Sequence, residues 1–467
     1  MAVTFSIEVT VWVYIRRGNF CKYPKGGKKM IKNACLCGVL MVTSVFANED
    51  RAKLCESRES EHLTQPMNAV VFWNAMADNS IGAVGGKSPQ QGGIDAAIVQ
   101  IAVYDAVNAI CGYPFTPYAV RPDVRRPAMP EAAVAAAAHD VLVALYPAQT
   151  AALDQQYAVY LSFIPGHREG ILNGVAVGQQ TAAGLLALRA NDGRNAGPGW
   201  TPPPPGPGIW EPTPPGFLPA ATPWIRFATP WTMTSPSQFR VPPPPALDSK
   251  VWADDYNETK AYGGAISSVR TAEQTDLAEF VGGPGVNPML QWHGTWREIA
   301  AGQRLSVIGA ARLFAMLSTA ASDALIGCWD SKFEYAFWRP VTAIRAGGGS
   351  LELVADPTWI GLVTTPNHPE YPAAHGCFSG SVVEVLRAYF GTDELHFTMS
   401  SAAPGLLQPV RSYDRFSQVL TDILDARIYG GMHYRNSTVV GTELGKQVAR
   451  QAIQHYFRPR KDAHEDE

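Results

Sequence analysis

Lys332, Arg339, His375, Arg427 and His433 are the residues of this chain whose types and spacing could do chemistry together. Three cations set in apolar sequence need an anion. Two imidazoles supply proton transfer near neutral pH. The combination would neutralise a phosphate-like oxyanion and do acid–base or nucleophilic work upon it. The residues fall in three segments. In Lys332-Phe-Glu-Tyr-Ala-Phe-Trp-Arg339-Pro340, a spacing of seven predicts two turns along one helix face. Pro340 should then stop that helix, with Arg339 at its end. Trp329, Phe333, Tyr335, Phe337 and Trp338 surround the two charges. In His368-Pro-Glu-Tyr-Pro372-Ala-Ala-His375-Gly-Cys-Phe-Ser379, proline keeps the chain extended and small residues then open a helix. Amides at such an N-terminus, Ala374 N–H among them, bind oxyanions, and His375 would stand at that mouth. In Arg427-Ile-Tyr-Gly430-Gly431-Met-His433, the glycine pair lets the backbone leave a regular helix, so Arg427 and His433 can converge.

Each segment alone has a bland reading. Lys332 could pair with a surface carboxylate, and Arg339 could satisfy a helix C-terminus. His375 could be a cap or core histidine, and His433 incidental to a Gly-broken helix. Together, the order and spacing of the five favour one site.

The elements that must position these residues are mainly α-helical. Ile94–Ile110 is Ala-rich with apolar residues at helical spacing, and helices are predicted over 130–145, 149–163 and 167–190. Helical patterning resumes at 257–268, 272–281, 296–318, 320–335, 376–391, 413–430 and 437–457. No sustained period-two run appears. Residues 195–250 hold the PPPP runs at 202–205 and 242–245, so they are neither interior helix nor central strand. Trp200, Trp210, Trp224 and Trp231 argue against disorder, so this stretch reads as an irregular strap walling a pocket. The expected organisation is a leader region (1–47), an irregular N-terminal segment (48–93), a first helical half (94–194), the strap (195–250), a second helical half carrying the site (251–458) and a charged tail (459–467).

The chain has 467 residues, 46% hydrophobic and 17% charged, with formal net charge -3. That is a globular composition with no basic field for nucleic acid. No segment reaches the roughly 18 unbroken apolar residues of a membrane span. From Met30, a lysine precedes a mostly apolar run from Ala34 to Ala47 ending Val-Phe-Ala. That is a signal-peptide pattern, which predicts export (periplasmic or secreted) after cleavage at Ala47. Met30 opens a better leader than Met1 does. Outside that region Cys55, Cys111, Cys328 and Cys377 remain. Two disulfides in three connectivities, or free buried thiols, are all open. So is homo-oligomerisation.

Lys332 with Arg339-Pro340, then Pro372-Ala-Ala-His375, then Arg427 with His433, resembles the three-part signature of the vanadium-dependent haloperoxidases and the type 2 phosphatidic acid phosphatase superfamily that shares their site. The looser likeness of the 94–113 helix, TPNHPEYP and GTELG extends it over most of the mature chain. The resemblance implies a helical-bundle fold and specific roles. Lys332, Arg339, Arg427 and the Ala374 amide would bind the oxygens of vanadate or phosphate. His433 would bond the metal, or attack phosphorus in a phosphatase, and His375 would be the acid–base group. The implied cofactor is vanadate, and the implied substrates are hydrogen peroxide and a halide. Trp329 and His368 correspond to positions near the halide, and a histidine at 368 resembles the bromide-oxidising branch. Departures are Ala373 for the motif serine, Ala374 for glycine, Ala426 for the serine before Arg427, and Ser437 where many members carry an aspartate that orients the metal-bonding histidine. The competing readings are an acid phosphatase acting on phosphomonoesters through a phosphohistidine, and a weakly active or non-catalytic helical relative.

Overall fold

A computed structural model describes Cys55 and residues 68–197, 199–350 and 352–460. The leader, its cleavage at Ala47, the start at Met30 and residues 461–467 of the tail lie outside the described residues. Helix starts follow polar caps. Asn68 accepts from the Val70 amide and opens α1, Ala69–Asp78, and a π-helical turn, Asn79–Val84, follows. Ser88 caps α2, Pro89–Ile110, with Pro89 in the first turn, where its missing N–H leaves no acceptor unserved. Most of the segment 68–93, expected to be irregular, is therefore helical. The Gly-rich run Ala83–Gly93 hid two caps and the apolar Ala69-Val-Val-Phe-Trp stretch, which is largely buried.

The first half continues with α3 (Pro130–Leu145), α4 (Thr150–Phe163) and α5 (Arg168–Leu188). Helices α2, α3 and α5 pack mutually. Close approach is possible because α3 presents alanines 132–133 and 135–138 and α5 presents Gly174 and Gly178. A Cβ on Gly178 would lie 2.4 Å from the Ala133 carbonyl. Helices α2 and α5 are long and apolar enough to cross a membrane by length and composition. α2, however, is enclosed by the other helices, as a core helix is, and α5 exposes Gln179 and Gln180.

Residues 195–249 form a strap whose described part contains one short 3-10 helix, Pro223–Phe227. Proline-rich chain stays ordered here because α9 (Val307–Tyr335) anchors it. Buried Asp323 accepts from the amides of Trp231 and Thr232 at 2.7 Å each and from the Thr232 hydroxyl at 2.7 Å. Asp330 pairs with Arg240 at 2.6 and 2.8 Å. Trp210 and Trp231 are buried against the bundle.

The second half holds α6 (Lys250–Gly263), α7 (Ala272–Gly282), α8 (Pro288–Gly302), α9, α10 (Pro340–Ala346) and α11 (Ala374–Phe390). A hairpin of β1 (Glu394–Ser400) and β2 (Val410–Arg415) precedes α12 (Phe416–Tyr429) and α13 (Arg435–His455). The first helix of this half starts at Ser249, which caps it, and not at 257. The break expected near 319 falls instead between Gly302 and Ser306, where Ser306 caps α9, and α9 runs on through Thr319, whose hydroxyl bonds back to the Ala315 carbonyl (2.8 Å). The hairpin was unforeseen because its alternation lasts only six or seven residues.

Three helices frame the site. α9 packs on α2, α11 and α13, and α11 and α13 cross closely. Gly445 makes the crossing possible, since a Cβ there would fall 2.1 Å from the Cys377 carbonyl. Cys328 on α9 and Cys377 on α11 are free and buried, while Cys55 and Cys111 form a disulfide.

Candidate functional site

α9 does not reach Arg339. Ala336 adopts a left-handed conformation (φ 46°) and caps the helix, and Arg339 becomes the extended N-cap of α10, with Pro340 behind it. The expectation of one helix face is corrected for a physical reason. Proline disfavours helical geometry in the residue before it, and the strap captures the freed segment, Trp210 donating to the Ala336 carbonyl at 2.6 Å. Lys332 therefore points inward alone and gives its ammonium to the carbonyls of Pro369 and Glu370 at 2.8 Å each. Arg339 donates to the His368 carbonyl (2.9 Å) and the Met432 carbonyl (2.8 Å), and its guanidinium also meets His433 Nε2 (3.2 Å) and His368 Nδ1 (3.0 Å).

α12 ends at Gly430, and Gly431 (φ 72°) reverses the chain so that residues 432 and 433 return beneath the helix. Arg427 NH2 then contacts Met432 Sδ at 3.0 Å, while its Nε and NH1 have no partner although buried. His433 faces Glu370, Nδ1 to Oε1 at 2.7 Å, and the same oxygen accepts from the Tyr434 amide at 3.2 Å. His375 is the second residue of α11, and its Nε2 has no partner. The first-turn amides of α11, Ala374 among them, have no intrahelical acceptor.

Arg427, His375, His433, Ala374, His368 and Met432 share the wall of one cavity of about 300 Å³. Lys332 and Arg339 lie behind that wall, Arg339 through its contact with His433. Trp329 is buried with its ring 4.9 Å from that of His368, and its indole N–H donates to the Thr222 hydroxyl at 3.2 Å. Thr222 belongs to the strap, and its neighbour Ala221 lines the cavity.

Spacing did not reveal Glu370. Ser437, four residues after His433, does not hold the His433 ring; Glu370 does, and the Ser437 hydroxyl is buried without a hydrogen-bond partner. The signal was present in the sequence as the one acidic residue of the proline-framed TPNHPEYP stretch.

Burial governs the electrostatics. It raises Glu370 to about 7, even against Lys332 and Arg339. It lowers Lys332 to about 8, Arg339 to about 10 and Arg427 to about 9, with Arg339 adding repulsion to Arg427. His375, His433 and His368 are held well below the ordinary histidine value, by burial first and then by the cations. All three imidazoles are therefore neutral at pH 7. With Nδ1–H of His433 committed to Glu370, its Nε2 carries the lone pair, which accepts from Arg339 NH1 at 3.2 Å. The site thus carries buried positive charge, two unpaired guanidinium nitrogens, a neutral imidazole with an unpaired nitrogen and a helix N-terminus. A tetrahedral oxyanion fits that donor set.

A pH dependence follows. Lys332 loses its proton near pH 8 in the free protein. Above that point each bound anion must bring a proton back, so anion affinity should fall about tenfold per pH unit. Calorimetric titration of inorganic phosphate from pH 7 to 9.5, corrected for the anion's own titration, checks this. A flat profile would mean that Lys332 does not sense the anion.

The fold and site define a helical-bundle protein with a cavity lined by buried cationic and imidazole groups. Residues 312–462 match the family model of the VCPO second helical-bundle domain. A stretch of 90 residues is 36% identical to vanadium chloroperoxidase of Curvularia inaequalis, covering 17% of this chain and 14% of that protein. The whole fold is similar to a crystal structure of a bacterial vanadium-dependent iodoperoxidase (TM-score 0.72, 24% identity, 85% of this chain and 100% of that one). It is also similar to a holo bacterial vanadium-dependent chloroperoxidase (TM-score 0.65, 20% identity, 84% and 98%).

Proposed function

We propose that this chain is a vanadate-dependent haloperoxidase that oxidises halide, with bromide preferred, using hydrogen peroxide to form hypohalous acid. One observation carries the reading. A fully buried arginine with two unpaired nitrogens and a neutral histidine with an unpaired nitrogen face the same cavity, beside a second histidine whose Nδ1 is fixed by a carboxylate. Leaving such groups unpaired costs about 1–3 kcal/mol each, more when charged, so their persistence supports a bound oxyanion.

Arg427 and the α11 amides would hold the anion's oxygens, with Arg339 and Lys332 adding charge from behind, and His433 Nε2 would ligate vanadium. Vanadate, when bound, supplies Lewis-acid activation of peroxide without change of oxidation state. The chain's own residues do the rest. Neutral His375 accepts the peroxide proton at Nε2. Glu370 keeps the His433 proton on Nδ1. His368 lines the cavity where halide would approach, backed by the buried Trp329 ring, and His368 supports the bromide preference.

The test incubates purified protein with orthovanadate, hydrogen peroxide and chloride, bromide or iodide in the presence of a halogen-trapping dye, and separately with an aryl phosphate. Vanadate-dependent halogenation, strongest with bromide, is expected. Vanadate-inhibited phosphate release without halogenation would replace the reading with a phosphatase, and silence in both arms would end it. The leader-like run ending at Ala47 supports export, which N-terminal sequencing of the mature protein tests.

Ala373 is the N-cap of α11 and has no side-chain cap bond. A serine there would cap the helix and add a donor toward the anion. Ala373→Ser is expected to tighten orthovanadate binding by roughly 1.5–3 kcal/mol, the worth of a hydrogen bond to a charged group, measurable by calorimetry. Unchanged affinity would place the hydroxyl away from the anion.

A further inference from the structure

We propose that Met432 is an oxidation-sensitive positioning residue, whose thioether holds the Arg427 guanidinium in place and whose conversion to the sulfoxide disarms the oxyanion site. Four observations meet at this side chain. Its sulfur is the contact that Arg427 NH2 makes, at 3.0 Å. Its backbone carbonyl accepts from Arg339 at 2.8 Å, so one residue touches both guanidinium groups. It lines the cavity although only 1% exposed, so a small oxidant would reach it from the cavity side. Its surroundings are filled as well. A Cβ built on Gly282 would lie 2.9 Å from the Met432 methyl and 2.7 Å from Arg427 NH1, and one on Gly430 would lie 3.1 Å from the methyl.

A thioether is a weak acceptor that leaves a guanidinium free to serve an anion. A sulfoxide is a polar group with a full acceptor oxygen. In the reaction hydrogen peroxide transfers one oxygen atom to sulfur. The sulfur is oxidised by two electrons, the O–O bond breaks, an S–O bond forms, and the second oxygen leaves as water. The new oxygen has no room between Sδ and NH2. It must displace the guanidinium or take the hydrogen bond that the anion needs. Either outcome weakens anion binding. The proposal rests on the haloperoxidase reading only for the natural source of oxidant, so its test supplies the oxidant directly.

Full-length protein is treated with hydrogen peroxide in the absence of vanadate and halide, and the peroxide is removed. Peptide mass spectrometry reads oxidation at 432 and at the other methionines, and calorimetry reads orthovanadate binding. Affinity is expected to fall tenfold or more, in proportion to occupancy at 432. Met432→Leu, which keeps bulk without sulfur, should bind orthovanadate a few-fold more weakly than the native chain and lose nothing further on treatment. The proposal is overturned if 432 is oxidised with affinity unchanged, if affinity tracks a different methionine, if 432 resists oxidation while others react, or if the leucine variant loses affinity equally. Should the variant fail to fold, the correlation within the native chain decides. Failure of the untreated protein to bind orthovanadate would overturn the functional reading and this proposal together, whereas normal but peroxide-insensitive binding overturns this proposal alone.

Discussion

Replacing His375 with alanine is expected to lower turnover by about 10²–10⁴-fold, the usual worth of a positioned acid–base group, while orthovanadate affinity stays within a few-fold. The split follows from the geometry. His375 Nε2 is buried and bonded to nothing, so the ring's cavity-facing nitrogen is committed to no structural partner. Burial and the three cations keep the ring neutral, which makes it a base and a poor contributor of charge to the anion. The buried cations proposed to bind the anion are Lys332, Arg339 and Arg427, and their hydrogen bonds go to groups other than the removed ring. Steady-state bromination kinetics beside calorimetric vanadate titration separate the two roles. Retained turnover would remove His375 from the chemistry. Lost affinity with unchanged turnover at saturating vanadate would make it a binding group instead.

The candidate site residues could be singled out because their chemistry is conspicuous. Three cations and two histidines in apolar, aromatic or glycine-broken sequence carry their own signal, and the structure sets Arg427, His375 and His433 on one cavity. How they get there was less legible. The pattern suggests a break near 319 that does not occur, while the spacing of Lys332 and Arg339 suggests one helix face past Tyr335, against which only Pro340 speaks locally. The decision is made by the strap, more than a hundred residues earlier in the chain, whose Ile209 pairs with Phe337 and whose Trp210 amide takes the Ala336 carbonyl. Lys332 and Arg339 consequently approach from different directions. The same limit hid Glu370. Its partner His433 is 63 positions away, and no window of sequence contains both. The helices themselves were well marked by period and breaks, while the starts at Asn68, Ser88 and Ser249 needed capping chemistry read ahead of composition.

Glu370→Gln should produce the second large effect, and it should act in two directions. Glutamine keeps an acceptor for the His433 Nδ1–H and the Tyr434 amide but removes the carboxylate that opposes Lys332 and Arg339. Removing one partner of a buried charge cluster costs about 3–5 kcal/mol of stability. The lower end is expected here, because burial already lifts Glu370 to about 7 and leaves it partly protonated at neutral pH. The sign of its pH dependence is definite. Between its unfolded value of 4.5 and about 7 the folded state holds a proton that the unfolded state has released, so this group makes stability fall as pH rises through that window. The variant should lack that slope. Its thermal midpoint at pH 7 should be lower than native without anion. Saturating orthovanadate should raise the midpoint by more than it raises the native one, since the anion then supplies the missing negative charge. Turnover should nonetheless drop about 10–100-fold, the usual effect of losing the group behind a metal-ligating histidine. A neutral amide no longer strengthens Nε2 as a donor. Two effects that a purely structural role would link, midpoint and turnover, should therefore move apart when vanadate is added. If orthovanadate restores both together, Glu370 balances charge and does nothing to the His433 ring.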